Sequence, residues 1–494
     1  MSAVLLAGAR LIGVMGTADA PVDVLLRDGA IAEVGPGLAA PDAERVELDG
    51  RFLAPGMWDQ HVHFGQWAAV SRRLDVSSAR SAAEVAALVR ARVEAGVPQG
   101  EILLGYGFRD ALWTDAPTAE LLAFGDVPVS LVSGDVHTVW SNAALLARLG
   151  LPASAWWLNE QPAFDLNVRL SAVDEATVDR WAADAAHAVG ARGVTGVVDF
   201  EMHDAVGSWG RRIAAGLRAL RVQATVYPEG FERVTARGLR TGDAIPDADG
   251  LATVGPFKIF TDGALNSRTA WCVDPYPELH GLAAHGIPTY AGDELLAVAR
   301  EAWSAGLVPA IHAIGDRAVS VALDTFENLA IPADAVDRGR IEHAQLLLPS
   351  DAPRFAPLGV RASVQPEHAM DDRDVADHHW AGRTGRSFAY RSLLDAGATL
   401  VLGSDAPVAP LDPWVTLAAA VTRSRDGREP WHPEQALPLG SALAASWNGV
   451  TAVRPGGPAD LVILDADPYA IDPALLRSMP VHATLVAGAF TFGR

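Results

Sequence analysis

Phe52-Leu53-Ala54-Pro55-Gly56-Met57-Trp58-Asp59-Gln60-His61-Val62-His63 is the stretch that decides how this chain is read. An apolar run leads straight into two histidines spaced by one residue. On an extended strand successive side chains alternate faces, so His61 and His63 point the same way. His-x-His is therefore the smallest strand device that aims two imidazoles at one metal ion. Alone it is weak, because two packed or solvated histidines would look identical. Its company carries the weight.

Downstream, apolar strand-like runs recur: 194–200, 222–227, 253–260, 307–311, 340–342, 361–365 and 399–402. With the His-x-His run they number eight. Helical stretches lie between them, at 209–220, 293–305, 317–329 and 390–396. Strands alternating with helices argue for a parallel α/β arrangement, and eight such units suggest a (β/α)8 TIM barrel. Lys258 lies on the fourth strand, His312 follows the fifth, His343 the sixth and Asp405 the eighth. Barrel enzymes place their chemistry on that C-terminal rim, where side chains from separate strands converge. Any one of these histidines is best explained as a packed core residue, but all six positions falling on strand ends by chance is far less plausible. Together they form an N/O set suited to zinc or a similar divalent ion.

The flanks read differently. Residues 1–55 carry short strands with Asp-Gly turns at 28–29 and 49–50, and 450–494 have the same character. Neither segment closes a core alone, so the expectation is one composite β-sandwich domain built from both termini. Residues 56–449 then form the barrel. Residues 66–192 are too long for one βα unit and read as a cap-like insertion, with helices at 82–94 and 175–189.

Composition bounds the function. The 494 residues are half hydrophobic and one-fifth charged, a globular balance, with a net charge of -21. That field repels phosphate backbones, so no nucleic-acid partner is expected. No uncharged run reaches membrane-spanning length, and no secretory leader is evident, so a cytoplasmic protein without membrane association is expected. The single cysteine, Cys272, excludes an intramolecular disulfide and cysteine-based clusters and reads as a small buried hydrophobe. The acidic surface is compatible with a homodimer.

The order His-x-His, Lys, His, His, Asp on strands one, four, five, six and eight resembles the amidohydrolase superfamily. The segment 257–270 (Phe-Lys-Ile-Phe-Thr-Asp-Gly-Ala-Leu-Asn-Ser-Arg-Thr-Ala) is similar to its YtcJ-like branch (amidohydrolase family 3), which includes N-substituted formamide deformylases. So are Ile311-His312-Ala313-Ile314-Gly315-Asp316, Arg340-Ile341-Glu342-His343-Ala344-Gln345 and Gly403-Ser404-Asp405-Ala406-Pro407. The resemblance implies a metal-dependent hydrolase of a small molecule, cleaving a C–N amide-type bond: a formamide, N-acyl or cyclic amide. It implies two zinc ions, one held by His61, His63 and Asp405 and the other by His312 and His343. Lys258, carboxylated on its side-chain nitrogen, would bridge them. Metal-activated hydroxide would attack, with Asp405 as general base and then general acid.

Esters, lactones or carbamates suit the same site, a single-metal centre would favour deamination, and a non-catalytic scaffold would be expected to have lost ligands that are all present here. For substrate contact the expected residues are His137, Trp113, Tyr106, Asp262, Arg268 and Gln365. A structural reading competes for several of them. Asp262 and Arg268 are expected to pair with each other and brace a loop, and His137 is as well explained by packing within the insertion. Trp156-Trp157 is better explained by burial than by a pocket wall. His378-His379 reads as a solvated loop.

Overall fold

The computed structural model describes residues 3–494 apart from 99, 111–112, 134–137, 160, 172 and 278. It divides into two compact units, Met1–Phe64 with Ala183–Arg494, and Gly65–Ala182.

The first unit is built on eight parallel strands: β1 (Met57–Val62), β2 (Val194–Asp199), β3 (Arg221–Val226), β4 (Ala252–Phe260), β5 (Pro309–Ala313), β6 (Arg340–His343), β7 (Arg361–Val364) and β8 (Leu400–Leu402). Each pairs with its sequence neighbour. The ring closes where Val62 bridges Ala406 in parallel. There the amide of Asp405 donates to His61 O at 2.7 Å and that of His63 to Ala406 O at 2.8 Å. This is the (β/α)8 barrel expected from the sequence. β1, β2, β5, β6 and β8 are buried at every residue. Parallel strands covered on both faces read as continuous apolar runs, which is why the pattern was legible. Trp58, Val198, Phe200 and Ala310 pack together in one apolar cluster.

One helix differs from expectation. The helix expected over 209–220 runs Ala205–Ala214. Asp204 caps its start by accepting from the Gly207 amide, and Gly216 ends it at φ +107, a conformation that favours glycine. Periodicity marked the helix and missed its capping residues.

The termini of the chain share one sheet in the order Ala489–Phe492, Val481–Val486, Leu461–Leu464, Phe52–Pro55, Val4–Gly13, Val22–Arg27, Ala30–Gly35. The long strand Val4–Gly13 serves two sets of partners. Val4–Ala7 pair with Glu44–Glu47, and Arg10–Leu11 pair with Phe52–Leu53. Between these halves the register shifts, and Gly8 sits there at φ +73. Inward residues of both halves, Leu6, Leu26, Leu53 and Leu485 among them, meet in one apolar core. Phe52–Pro55 runs almost directly into β1, with only Gly56 between.

The second unit carries a five-stranded sheet in the order Trp157–Asn159, Thr138–Ser141, Val129–Ser133, Leu103–Phe108, Leu74–Asp75. Helix Ala82–Glu94 packs on it through Val85 and Val89, capped at its start by Ser81.

Candidate metal centre

All six positions singled out in the sequence lie at one end of the barrel. His61 sits in β1 and His63 directly after it; Lys258, His312 and His343 sit in β4, β5 and β6; Asp405 follows β8. Nε2 of His61 and Nε2 of His63 both lie 3.5 Å from Asp405 Oδ1. His61, His63 and Asp405 thus offer ligand atoms all within 4.8 Å of one another. Two donors on a tetrahedral ion with bonds of 2.0–2.1 Å stand about 3.4 Å apart, so this trio is spaced to hold one cation.

The backbone forces that approach. Asp59 Oδ1 accepts from the amides of His61 (3.1 Å) and Ser404 (3.0 Å), stitching β1 to the residues after β8. At Gly403 a Cβ would lie 2.6 Å from His61 N, so no larger residue fits. His343 and Asp405 adopt positive φ, +73 and +57. Such strain persists only where the surroundings over-determine it, and it concentrates at functional sites.

Three of the four imidazoles, those of His61, His343 and His312, are oriented by a bond from one nitrogen, which turns the other towards the cluster. His61 Nδ1 is 2.6 Å from Glu342 Oε2, and the ring stacks on Phe200 at 3.9 Å. His343 Nδ1 is 2.9 Å from Gln365 Oε1. His312 Nε2 is 3.1 Å from Gly263 O, leaving a buried Nδ1 with no partner among the described residues. Partners of this kind fix tautomer and ring orientation in metal sites.

Burial dominates the electrostatics. It drives His312 down to about 3 and His61 and His343 well below the usual imidazole value, with Lys258 adding to each. All three are neutral near pH 7, the form that binds metal. Burial also lowers Lys258 to about 8, against the opposing pull of Glu342 and Asp405; its Nζ lies 4.7 Å from the Phe200 ring centre. Burial pushes Asp405 up, but His61, His63 and His368 outweigh it and hold the carboxylate ionised, below its ordinary range. A cavity of about 230 Å³ opens onto the cluster, lined also by Phe260, Leu265, Asn266, Asp371 and Asp372.

The residues expected to touch substrate fare unevenly. Asp262 does not pair with Arg268. Its buried oxygens instead accept the amides of Trp271 (2.8 Å), Ile314 (3.1 Å) and Gly315 (2.8 Å). Arg268 is exposed and ion-pairs with none of the described residues. Gln365 is buried and spends its amide oxygen on His343. Trp113 and Tyr106 belong to the second unit. There Trp113 packs on Phe108 at 5.9 Å, and Tyr106 is half-buried in a strand. His137 lies outside the described residues. Trp157 packs against Phe108 and Trp140 with tilted rings, as burial predicts. His378 and His379 end the helix Arg373–His379 and are not in a loop.

Three residues near the six escaped the sequence reading: Asp59, Glu342 and His368. Glu342 was visible as His343's neighbour, but its pairing with His61 spans the barrel. His368 is 8% exposed, and its Nε2 lies 3.8 Å from Asp405 Oδ2.

A parallel eight-stranded barrel carrying neutral imidazoles and an ionised carboxylate at one rim defines a metal-dependent barrel hydrolase. A model described as the amidohydrolase family matches residues 44–492, and the chain belongs to that family. It is 26% identical over 519 residues to the YtcJ protein of Bacillus subtilis (strain 168), covering 95% of each. It is 27% identical over 524 residues to the N-substituted formamide deformylase of Arthrobacter pascens, again covering 95% of each. Among solved structures it is similar to an uncharacterized metal-dependent hydrolase from Pyrococcus horikoshii OT3, with a TM-score of 0.77 and 25% identity, covering 96% of this chain and 99% of that one. Among the described residues no helix is long and apolar enough to cross a membrane.

Proposed function

We propose that the chain hydrolyses a C–N amide-type bond of a small molecule, with an N-substituted formamide as the leading class, using divalent cations at the barrel rim. The observation that supports this most is the trio His61, His63 and Asp405, spaced for one ion, with the His61 ring oriented by Glu342. The likeness to a formamide deformylase across 95% of both chains supports the substrate class.

His61, His63 and Asp405 would hold one cation, and His312 and His343 a second, with Lys258 in carboxylated form between them; zinc suits these N/O donors. Such ions supply Lewis acidity, lowering the pKa of a water from 15.7 towards about 7 and polarising a carbonyl. The remaining work falls to the side chains. Asp405, kept anionic by three imidazoles, takes the proton of the attacking water and returns it to the departing nitrogen. Glu342 and Gln365 hold the His61 and His343 rings in place. Phe260 and Leu265 give the cavity an apolar wall for the substituent on nitrogen, beside the polar Asn266.

The test is a hydrolysis screen of the zinc-loaded protein on N-formyl, N-acyl, lactone and ester compounds, with Asp405→Asn as control. Turnover of an N-formyl or N-acyl compound that is lost in Asp405→Asn is the expected result. Turnover of esters alone, or equal rates in the variant, would contradict the proposal.

A further inference from the structure

His368 enters none of the roles above, yet it is built into the same rim. It lies in the short helix Pro366–Asp371, which follows β7, the one strand from β4 to β8 with no member among the six expected ligands. The ring is over nine-tenths buried and lines the cavity. Its Nε2 has no hydrogen-bond partner among the described residues. A buried polar atom without a partner is rare in native proteins and calls for an ion, a water or a functional role. At 3.8 Å from Asp405 Oδ2, it is too far for a hydrogen bond. That distance is close to the separation of about 3.4 Å between two donors on one tetrahedral ion.

A second neighbour completes the set. His343, His368 and Asp405 offer ligand atoms all within 4.8 Å of one another. Asp405 belongs to both trios, and its two oxygens are divided between them: Oδ1 faces His61 and His63, and Oδ2 faces His368. The scaffold holds His368 from both sides. Gln365 O accepts from the Tyr390 hydroxyl at 3.0 Å while its side chain orients His343. Glu367, itself buried, accepts from Arg477 at 2.8 and 3.0 Å and from Arg425 at 3.0 Å. Two arginines on one buried carboxylate anchor the helix that carries the imidazole.

We infer that His368 is a cation ligand: with His343 and Asp405 Oδ2 it forms a second trio, and Asp405 spans two cations through its two oxygens. This rests on the reading of the rim as a metal centre, and it supplies a second ion with unmodified side chains, whatever the state of Lys258.

The test uses the full chain, stripped with a chelator and titrated with zinc and with cobalt(II). Bound metal is read by mass spectrometry, and the cobalt sites by visible absorption. The parent is expected to take up two ions. His368→Ala and the size-matched His368→Gln are expected to retain one, with the second ion weakened by more than the roughly 10–100-fold that loss of an outer partner costs. A map of anomalous scattering at the zinc edge, from crystals of the parent, is expected to place an ion in bonding contact with His368 Nε2, a readout independent of either variant's folding. If the parent takes up two ions and both variants do so with affinities within tenfold, or if the map shows no ion at His368, this inference falls while the metal-centre reading stands. If the parent takes up none, both fall.

Discussion

Glu342→Gln isolates the residue on which the His61 side of the site depends. Glu342 is fully buried, bonded through Oε2 to His61 Nδ1 at 2.6 Å and ion-paired through Oε1 with Arg340. Burial pushes its carboxyl up, but Arg340 and Lys258 more than offset this and keep it ionised. The substitution keeps the shape and removes the charge, with two consequences. Arg340, also buried, loses its counter-ion, and breaking a buried pair from one side costs about 3–5 kcal/mol. The low end applies here, because Arg340 retains bonds to Gln60 O at 2.6 Å and Ser363 Oγ at 2.7 Å. At ~2.1 cal/mol/K per residue, the unfolding entropy of the whole chain is ~1 kcal/mol/K, so a loss of ~3 kcal/mol lowers Tm by ~3 °C. The second consequence is local. His61 loses a charged orienting partner, which in metal sites costs roughly 10–100-fold in affinity. Calorimetry of the metal-free variant reads the first effect and zinc titration the second. A variant with unchanged Tm and unchanged zinc affinity would refute the claim that Glu342 orients His61 and neutralises Arg340.

Asp405→Asn removes both a donor and the base, and a drop in kcat/KM of at least ~10²-fold is expected on any substrate found, from lost proton transfer alone; steady-state kinetics check it. Gly403→Ala sets a methyl 2.6 Å from His61 N, and is expected to abolish zinc uptake at the His61–His63 trio while circular dichroism keeps a native spectrum. Asp59 is pushed up to about 6 by burial, against about 3.9 in an unfolded chain. A raised acid stabilises the fold fully below about pH 4, and that contribution is lost as pH rises through 6. The stability of the parent relative to Asp59→Asn should therefore fall between pH 4 and 6, by on the order of 2–3 kcal/mol at 1.36 kcal/mol per tenfold, read from urea melts. Chelation should abolish turnover and zinc restore it, measured by the same kinetic assay.

How much of this was legible in the sequence follows from what each contact depends on. Strands buried on both faces leave continuous apolar runs, so the eight barrel strands and the residues at their tips could be read directly. The ligand candidates sit at fixed places on those strands, and the strand order brings them together. What escaped was contact across the ring. Glu342 meets His61 and Asp59 meets Ser404 only because the barrel closes β8 against β1, and nothing local in either segment records that. His368 has no local signal that aims it at the rim; Pro366 opens a short helix after β7 that turns the ring inward. Asp262 was assigned to Arg268 because opposite charges six residues apart suggest a pair. Backbone amides, which no side-chain pattern displays, hold it instead. Short strands within residues 1–55 were legible, but not that Val4–Gly13 is one long strand shared between two sets of partners, since the register shift at Gly8 has no apolar signature.

The central claim, that side chains from separate barrel strands gather cations among imidazoles, is met most directly by X-ray absorption at the zinc edge of the purified, zinc-loaded chain. The account predicts a first shell of nitrogen and oxygen at 2.0–2.1 Å, with outer-shell scattering from several imidazoles per ion. Tightly bound zinc without imidazole scattering, or no retained zinc at all, would contradict it.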